Sequence, residues 1–153
     1  MSDKEKPFCL LLRVRYSECD AQQVVFNSRY MDYVDVAMTE FTRQLWGDYN
    51  ALVASGYDNQ VVSATIDWNA PAHFDDVLAI YVAPGRLGNT SYTLHCTIVN
   101  YASRVELVNV KITYVLLNAK QMKKTSIPDA MRASLEQGAP GFIIDQAGIG
   151  QLA

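Results

Sequence analysis

Apolar and polar positions alternate in several short stretches of this chain, and one longer stretch repeats every three to four residues. Leu12, Val14 and Tyr16 alternate with Arg13, Arg15 and Ser17, a period of two that predicts a strand over 9–16 with one buried face. Tyr30, Val34, Ala37, Phe41 and Leu45 fall at helical steps and predict a helix over 30–46, stopped by Gly47. Met31, Tyr33, Val36 and Met38 widen its apolar surface, so other elements are expected to wrap around it. Asn27 or Ser28 is placed to cap it, and Asp32 and Asp35 lie toward the positive end of its dipole.

Residues 48–59 are turn-rich, with a short helix over 49–55; strands then dominate. Val62, Ala64, Ile66 and Trp68 alternate with Ser63, Thr65 and Asp67, and Pro71 ends that strand. Residues 77–83 are a continuous apolar run, the pattern of a buried strand. Gly85, Gly88 and Asn89 give 85–89 the composition of a hairpin turn. Tyr92, Leu94, Cys96 and Ile98 mark the next strand, 100–103 turns the chain, and Val108, Val110, Ile112, Tyr114 and Leu116 line one face of the last. Pro128 suits a first helical position before a short surface helix over 129–137.

This order predicts an α+β fold, an antiparallel sheet of about five strands wrapped around one long central helix. Residues 1–153 are expected to form a single domain, with its core over 8–137 and a glycine-rich, apolar tail over 138–153. One helix cannot cover the whole sheet. Two copies are therefore expected to pair through edge strands, as a homodimer or a homotetramer.

Composition narrows the picture. The chain is 50% hydrophobic and 19% charged, which suits a globular protein with its own core. A net charge of −3 offers no general attraction to nucleic acid. No apolar run reaches the ~20 residues that cross a bilayer. Residues 1–7 lack the apolar centre of a secretory signal, so the cytoplasm is the expected location. Cys9, Cys19 and Cys96, odd in number and without CxxC spacing, read as reduced thiols.

The candidate chemistry lies in 13–30. Asp20 sits in an acidic turn, seven residues before Asn27 at the expected helix start. Unpaired N–H groups at a helix N-terminus polarise a carbonyl, and a carboxylate can attack that carbonyl or deprotonate water. Taken alone, an Asp in a turn more often bonds its own loop. Glu18 reads as a solvated neighbour and Cys19 as a semi-buried thiol with no histidine near it in sequence. Glu40 lies mid-helix, where packing or solvation is the plainer reading. His73 and His95 stand apart, with no spacing for a metal site. Phe26, Tyr33, Tyr57 and Trp68 suit either a pocket lining or plain core. Arg86, Arg104, Lys123 and Lys124 lie in or near loops.

Tyr16-Ser-Glu-Cys-Asp20, followed by Val24-Val-Phe-Asn-Ser-Arg-Tyr-Met31, resembles the hotdog-fold acyl-CoA thioesterases of the 4-hydroxybenzoyl-CoA thioesterase type, which include those associated with the bacterial Tol–Pal system. Residues 67–76 look like that family's second strand and following turn, and Ile127-Pro128 like the start of its closing segment. The likeness spans 10–136 and is most specific in the first thirty residues.

The resemblance implies hydrolysis of an acyl- or aroyl-CoA thioester, with Asp20 as nucleophile or general base. It implies that the backbone N–H of Asn27 is the oxyanion donor and that Tyr30 shapes the acyl pocket. Phe26, Tyr33 and Trp68 then become candidates around the acyl group, and Arg86 toward the phosphates of coenzyme A. Coenzyme A enters as part of the substrate, and no metal or other cofactor is implied. Two departures stand out: many relatives carry glycine at Gln23, and histidine is common at Asn27. The first limits the turn's freedom; the second removes a side-chain donor and leaves the backbone N–H. A non-catalytic acyl-CoA-binding or assembly module is the alternative those departures favour. A hotdog dehydratase would need a histidine beside a helical acid, which neither His73 nor His95 offers in sequence.

Overall fold

The computed structural model describes residues 6–151. Residues 1–5 and 152–153, which hold most of the charged N-terminal segment and the end of the tail, lie outside the described residues.

Strand β1 (Phe8–Arg13) is apolar from Phe8 to Leu12 and buried along that run. The expectation of one buried face extending to Tyr16 is corrected. Beyond Arg13 the backbone leaves the ladder: Val14 N–H donates to Asp76 O at 2.9 Å, and Asp75 N–H to Val14 O at 3.1 Å. A 3₁₀ turn at Tyr16–Glu18 follows, and Tyr16 points to solvent. The outer face of β1 is covered as well, where Cys9, Leu11 and Ala79 pack with Tyr81, Tyr101 and Ile149.

Helix α1 (Arg29–Trp46) buries Tyr30, Tyr33, Val34, Ala37, Met38 and Phe41, the stripe that its three- and four-residue steps predict. Gly47, at φ +83°, ends it with its N–H on Arg43 O. Ser28 holds the N-cap position without a side-chain bond. Helix α2 (Tyr49–Ala54) is opened by Asp48, whose Oδ1 accepts Ala51 N–H at 2.8 Å.

The sheet contains β1, β2 (Tyr57–Trp68), β3 (Val77–Leu87), β4 (Ser91–Asn100), β5 (Glu106–Asn118) and β6 (Ile143–Asp145), in the order β2-β5-β4-β3-β1-β6. Neighbours are antiparallel except β1 and β6, which run parallel, Leu10 opposite Ile144. The expected five-stranded antiparallel sheet is thus a six-stranded mixed one, because the tail returns along β1. The long helix α1 packs on β1 and β3 and is flanked by the two short helices, α2 and α3 (Asp129–Gln137); α3, expected on the surface, seats Leu135 in the core. Pro128 is the residue before α3, not its first. The hairpin turn lies later than 85–89. Pro84 to Leu87 remain in β3 across a register shift, and Gly88 N–H closes on Ser91 O at 2.7 Å.

Edge strand β2 carries a bulge between Val61 and Ser63. Ala64, Ile66 and Trp68 stand in register with the buried Ile112, Val110 and Val108, so they belong to the inner face. Yet Trp68 is 50% exposed, and so is Val61, opposite the buried Tyr114, at 46%; Val62, expected on this face, is the bulged residue without a partner. Helix α1 lies over β1 and β3 and leaves this end of the inner face open. No helix among the described residues is long and apolar enough to cross a membrane.

Candidate active site

Between the 3₁₀ turn and α1 the chain folds into a small hairpin. Cys19 bridges Val25, Asp20 N–H donates to Val24 O at 2.9 Å, and Gln23 N–H donates to Asp20 O at 2.9 Å. Gln23 takes φ +62°, a left-handed conformation that costs a side chain about 1–2 kcal/mol and that glycine adopts freely. A glycine there, as the resemblance led one to expect, would take this conformation without that cost.

Asp20 Oδ1 accepts Gln22 N–H at 2.8 Å, an Asx turn that fixes the carboxylate; Oδ2 has no partner among the described residues. The side chain is exposed at a cleft of about 550 Å³ that Tyr16, Cys19, Ala21, Gln23 and Phe74 also line. Tyr16 and Phe74 meet edge to face there at 5.8 Å.

On the other limb, Arg29 N–H donates to Phe26 O at 2.8 Å and closes the turn that opens α1. Among the described residues, the N–H groups of Asn27 and Ser28 meet no acceptor in the chain. They stand at the positive end of the helix dipole, so they can receive an oxygen that gains negative charge.

Residues 69–76 hold this hairpin from below. Val25 N–H donates to Ala72 O at 2.9 Å, Phe74 N–H to Gln23 O at 3.3 Å, and Val24 bridges His73. The Tyr30 hydroxyl accepts Ala72 N–H at 3.0 Å. Two of the segments that carry the family resemblance, 16–31 and 67–76, are therefore one structural unit.

Glu18, expected to be solvated, is buried at 5% exposure; this is a correction. Burial pushes its carboxyl up, but hydrogen bonds from the Arg15 guanidinium, the Arg15 N–H and the Tyr33 hydroxyl outweigh that and hold it below the usual range. Its carboxylate reaches back to the Arg15 N–H three residues earlier, but Arg15 has no acceptor to complete a capping box, so no sequence signal marks it. Burial raises the Cys19 thiol, and the charges of Glu18, Asp20 and Asp76 raise it further, so it rests protonated. Burial pushes Cys9 up to about 11 and Cys96 up to about 12.

The remaining candidates fall as follows. Phe26 is exposed at the helix entrance. Tyr30 and Tyr33 are buried, an edge-to-face pair at 6.0 Å, with their hydroxyls engaged by Ala72 and Glu18. Trp68 ends β2 and leads into 69–76. Arg86 lies at the opposite end of β3 from Val77, which pairs with Arg13 near the site; nine residues of strand separate the two, roughly 30 Å. The hairpin sets Asp20 against Val24 and Glu18 against Phe26, so Asp20 lies on one limb, Phe26 and Asn27 lie on the other, and Arg86 lies apart. His73 lies 3.7 Å from Asp76, and Glu40 pairs with Arg43 at 3.3 Å. The His95 ring covers Gly85, where any Cβ would come within 2.6 Å of it. No metal-binding cluster occurs among the described residues. A second cavity, about 340 Å³, opens between α1, α2 and β2, lined by Asp35, Met38, Trp46, Leu52, Val61 and Tyr114 among others.

The profile of the thioesterase-like superfamily matches residues 14–135, and the chain belongs to that family. It is similar to the acyl-CoA thioester hydrolase YbgC of Escherichia coli O6:H1, with 29% identity over 126 residues, 82% of this chain and 93% of that protein. Its fold is similar to that of a thioesterase superfamily protein from Jannaschia sp. CCS1, with a TM-score of 0.82 and 22% identity over 92% of this chain and 98% of the other. It is also similar in fold to a 1,4-dihydroxy-2-naphthoyl-CoA thioesterase from Synechocystis, with a TM-score of 0.75 and 19% identity over 84% and 94%. The resemblance read from residues 16–31 is borne out: this is a hotdog thioesterase-family chain.

Proposed function

We propose that the chain hydrolyses the thioester bond of an acyl- or aroyl-CoA. The observation that carries this reading is the short loop that presents Asp20 Oδ2 on one limb and the unpartnered Asn27 N–H on the other. The name of the E. coli relative, an acyl-CoA thioester hydrolase, supports it.

The thioester oxygen accepts the Asn27 N–H, a bond that strengthens as the oxygen gains charge. Asp20 then acts in one of two ways. As nucleophile it bonds to the carbonyl carbon, the C–S bond breaks, coenzyme A leaves as a thiolate that takes up a proton, and water hydrolyses the mixed anhydride. As base it takes a proton from water while the hydroxyl adds and the thiolate leaves. Loss of one oxyanion donor costs about 10²–10³ in rate, so the donor alone is too weak and the carboxylate shares the work. These steps use only the carboxylate, the N–H and water; coenzyme A belongs to the substrate. This reading places the protein with its substrate in the cytoplasm.

The open inner face at β2, with exposed Val61 and Trp68, and the exposed bulge residue Val62 support pairing of two copies along that edge. The partner would cover Trp68 and could bring Arg86 toward the substrate phosphates. The non-catalytic alternative loses one of its supports, because Gln23 adopts the turn that glycine would make.

Asp20→Asn is the test. Turnover of a panel of short, long and aromatic acyl-CoAs should fall at least ~10³-fold while the oligomer and its melting temperature hold. Undiminished turnover refutes the assignment, and tight binding of a non-hydrolysable analogue with no turnover by the wild type favours the binding module.

A further inference from the structure

Glu18 is the one buried charged side chain among the described residues, and its partners come from two different elements. Its Oε1 accepts Arg15 N–H at 2.7 Å and the Tyr33 hydroxyl at 3.1 Å. Its Oε2 accepts the Arg15 guanidinium through Nη2 at 2.7 Å and Nε at 3.2 Å. Its backbone carbonyl accepts Phe26 N–H at 3.0 Å, one residue before Asn27. Asp20 follows it by two residues.

Burying a carboxylate is costly unless every lone pair is met, and an apolar residue would fill the space at less risk to stability. What an apolar residue cannot do is hold two limbs at once. Tyr33 lies one turn inside α1, so the side chain ties the Asp20 limb to the helix body. The backbone carbonyl ties the same residue to the Asn27 limb. The two groups between which a thioester would sit are thus spaced through a single residue.

We infer that Glu18 is a positioning residue that sets the separation between the Asp20 carboxylate and the Asn27 N–H. The catalytic half of this inference rests on the hydrolysis proposed above; the mechanical half stands without it. A displacement of about 1 Å in such a pair costs on the order of 10² in rate.

Glu18→Gln keeps the shape and removes the charge; Tyr33→Phe removes only the tie to the helix, and serves if the first variant folds poorly. Amide exchange of Asp20, Val25 and Phe26, followed by NMR, should accelerate roughly 10-fold or more while the amides of β4 and β5 keep their rates. With an acyl-CoA that the wild type hydrolyses, kcat should fall roughly 10–100-fold and KM stay within about twofold. Unchanged loop exchange overturns the inference. So does faster exchange across the whole sheet, or a change carried in KM, either of which marks a general structural role. If Asp20→Asn leaves turnover intact, the assignment of Asp20 fails, and the exchange rates alone decide whether Glu18 holds the loop.

Discussion

Tyr30→Phe isolates one hydrogen bond on which the floor of the site depends. The Tyr30 hydroxyl accepts Ala72 N–H at 3.0 Å, with Tyr30 2% exposed and Ala72 fully buried. Ala72 in turn accepts Val25 N–H at 2.9 Å, so the bond links α1, the 69–76 segment and the Asp20 hairpin in series. Phenylalanine keeps the ring and its packing against Tyr33 and removes only the acceptor. A buried N–H then loses its partner, which costs about 1–3 kcal/mol, while the lost volume is a single oxygen and adds little. The expected change is a fall of about 2 kcal/mol in urea unfolding with an unchanged slope. In a chain of this length that corresponds to a melting temperature lower by about 4–8 °C. Both must be measured at one protein concentration, since an oligomer's stability depends on it. If Tyr30 instead served the acyl pocket directly, KM would rise and stability would hold. That result would refute the reasoning from the buried amide.

Gln23→Gly should relieve about 1–2 kcal/mol of left-handed strain and give back about 0.4–1 kcal/mol to the freer unfolded chain. A small net gain in urea stability with unchanged loop exchange is expected, and a clear loss would contradict the strained turn. Val62→Lys places a charge on the exposed edge of β2 and should weaken self-association at least ~10-fold in sedimentation. An unchanged mass on dilution would remove β2 as the pairing edge. Glu18 has a folded-state value below its unfolded one, so its contribution is fully present above the unfolded value of about 4.3 and drains as pH falls through the folded value. Between about pH 5 and pH 3 the wild type should lose more stability than Glu18→Gln; parallel curves would mean the carboxylate is not held.

Periodicity located α1 to within a residue because its buried stripe repeats over about three turns, from Tyr30 to Phe41, and Gly47 marks its end. It located the 77–83 and 108–116 strands because each has a long apolar signal. It failed where the deciding contacts were remote. Nothing local in Phe8–Arg13 says that both faces are covered, since the second cover is a tail more than a hundred residues later. Strand β6, three residues long, has no period to read. The glycines at 85–89 looked like a turn, but Gly85 is small because a histidine ring lies over it. The hairpin that carries Asp20 and Asn27 was legible as a turn before a helix because its residues are near each other in sequence. Glu18 was not, because its burial is made by Tyr33, 15 residues away on another element.

The two borders of the sheet are unequal, and this limits how large an assembly can grow. At one border the short β6 lies parallel on β1, and Asp145 then curls the chain aside by accepting the N–H groups of Ala147, Gly148 and Gly150. At the other, the outer edge of β2, a strand of twelve residues, meets no further strand among the described residues. A molecule adhesive on both borders could add copies without limit and build a fibre. With one border sealed, self-pairing about a twofold axis consumes the adhesive border of each copy, and growth by this route stops at two.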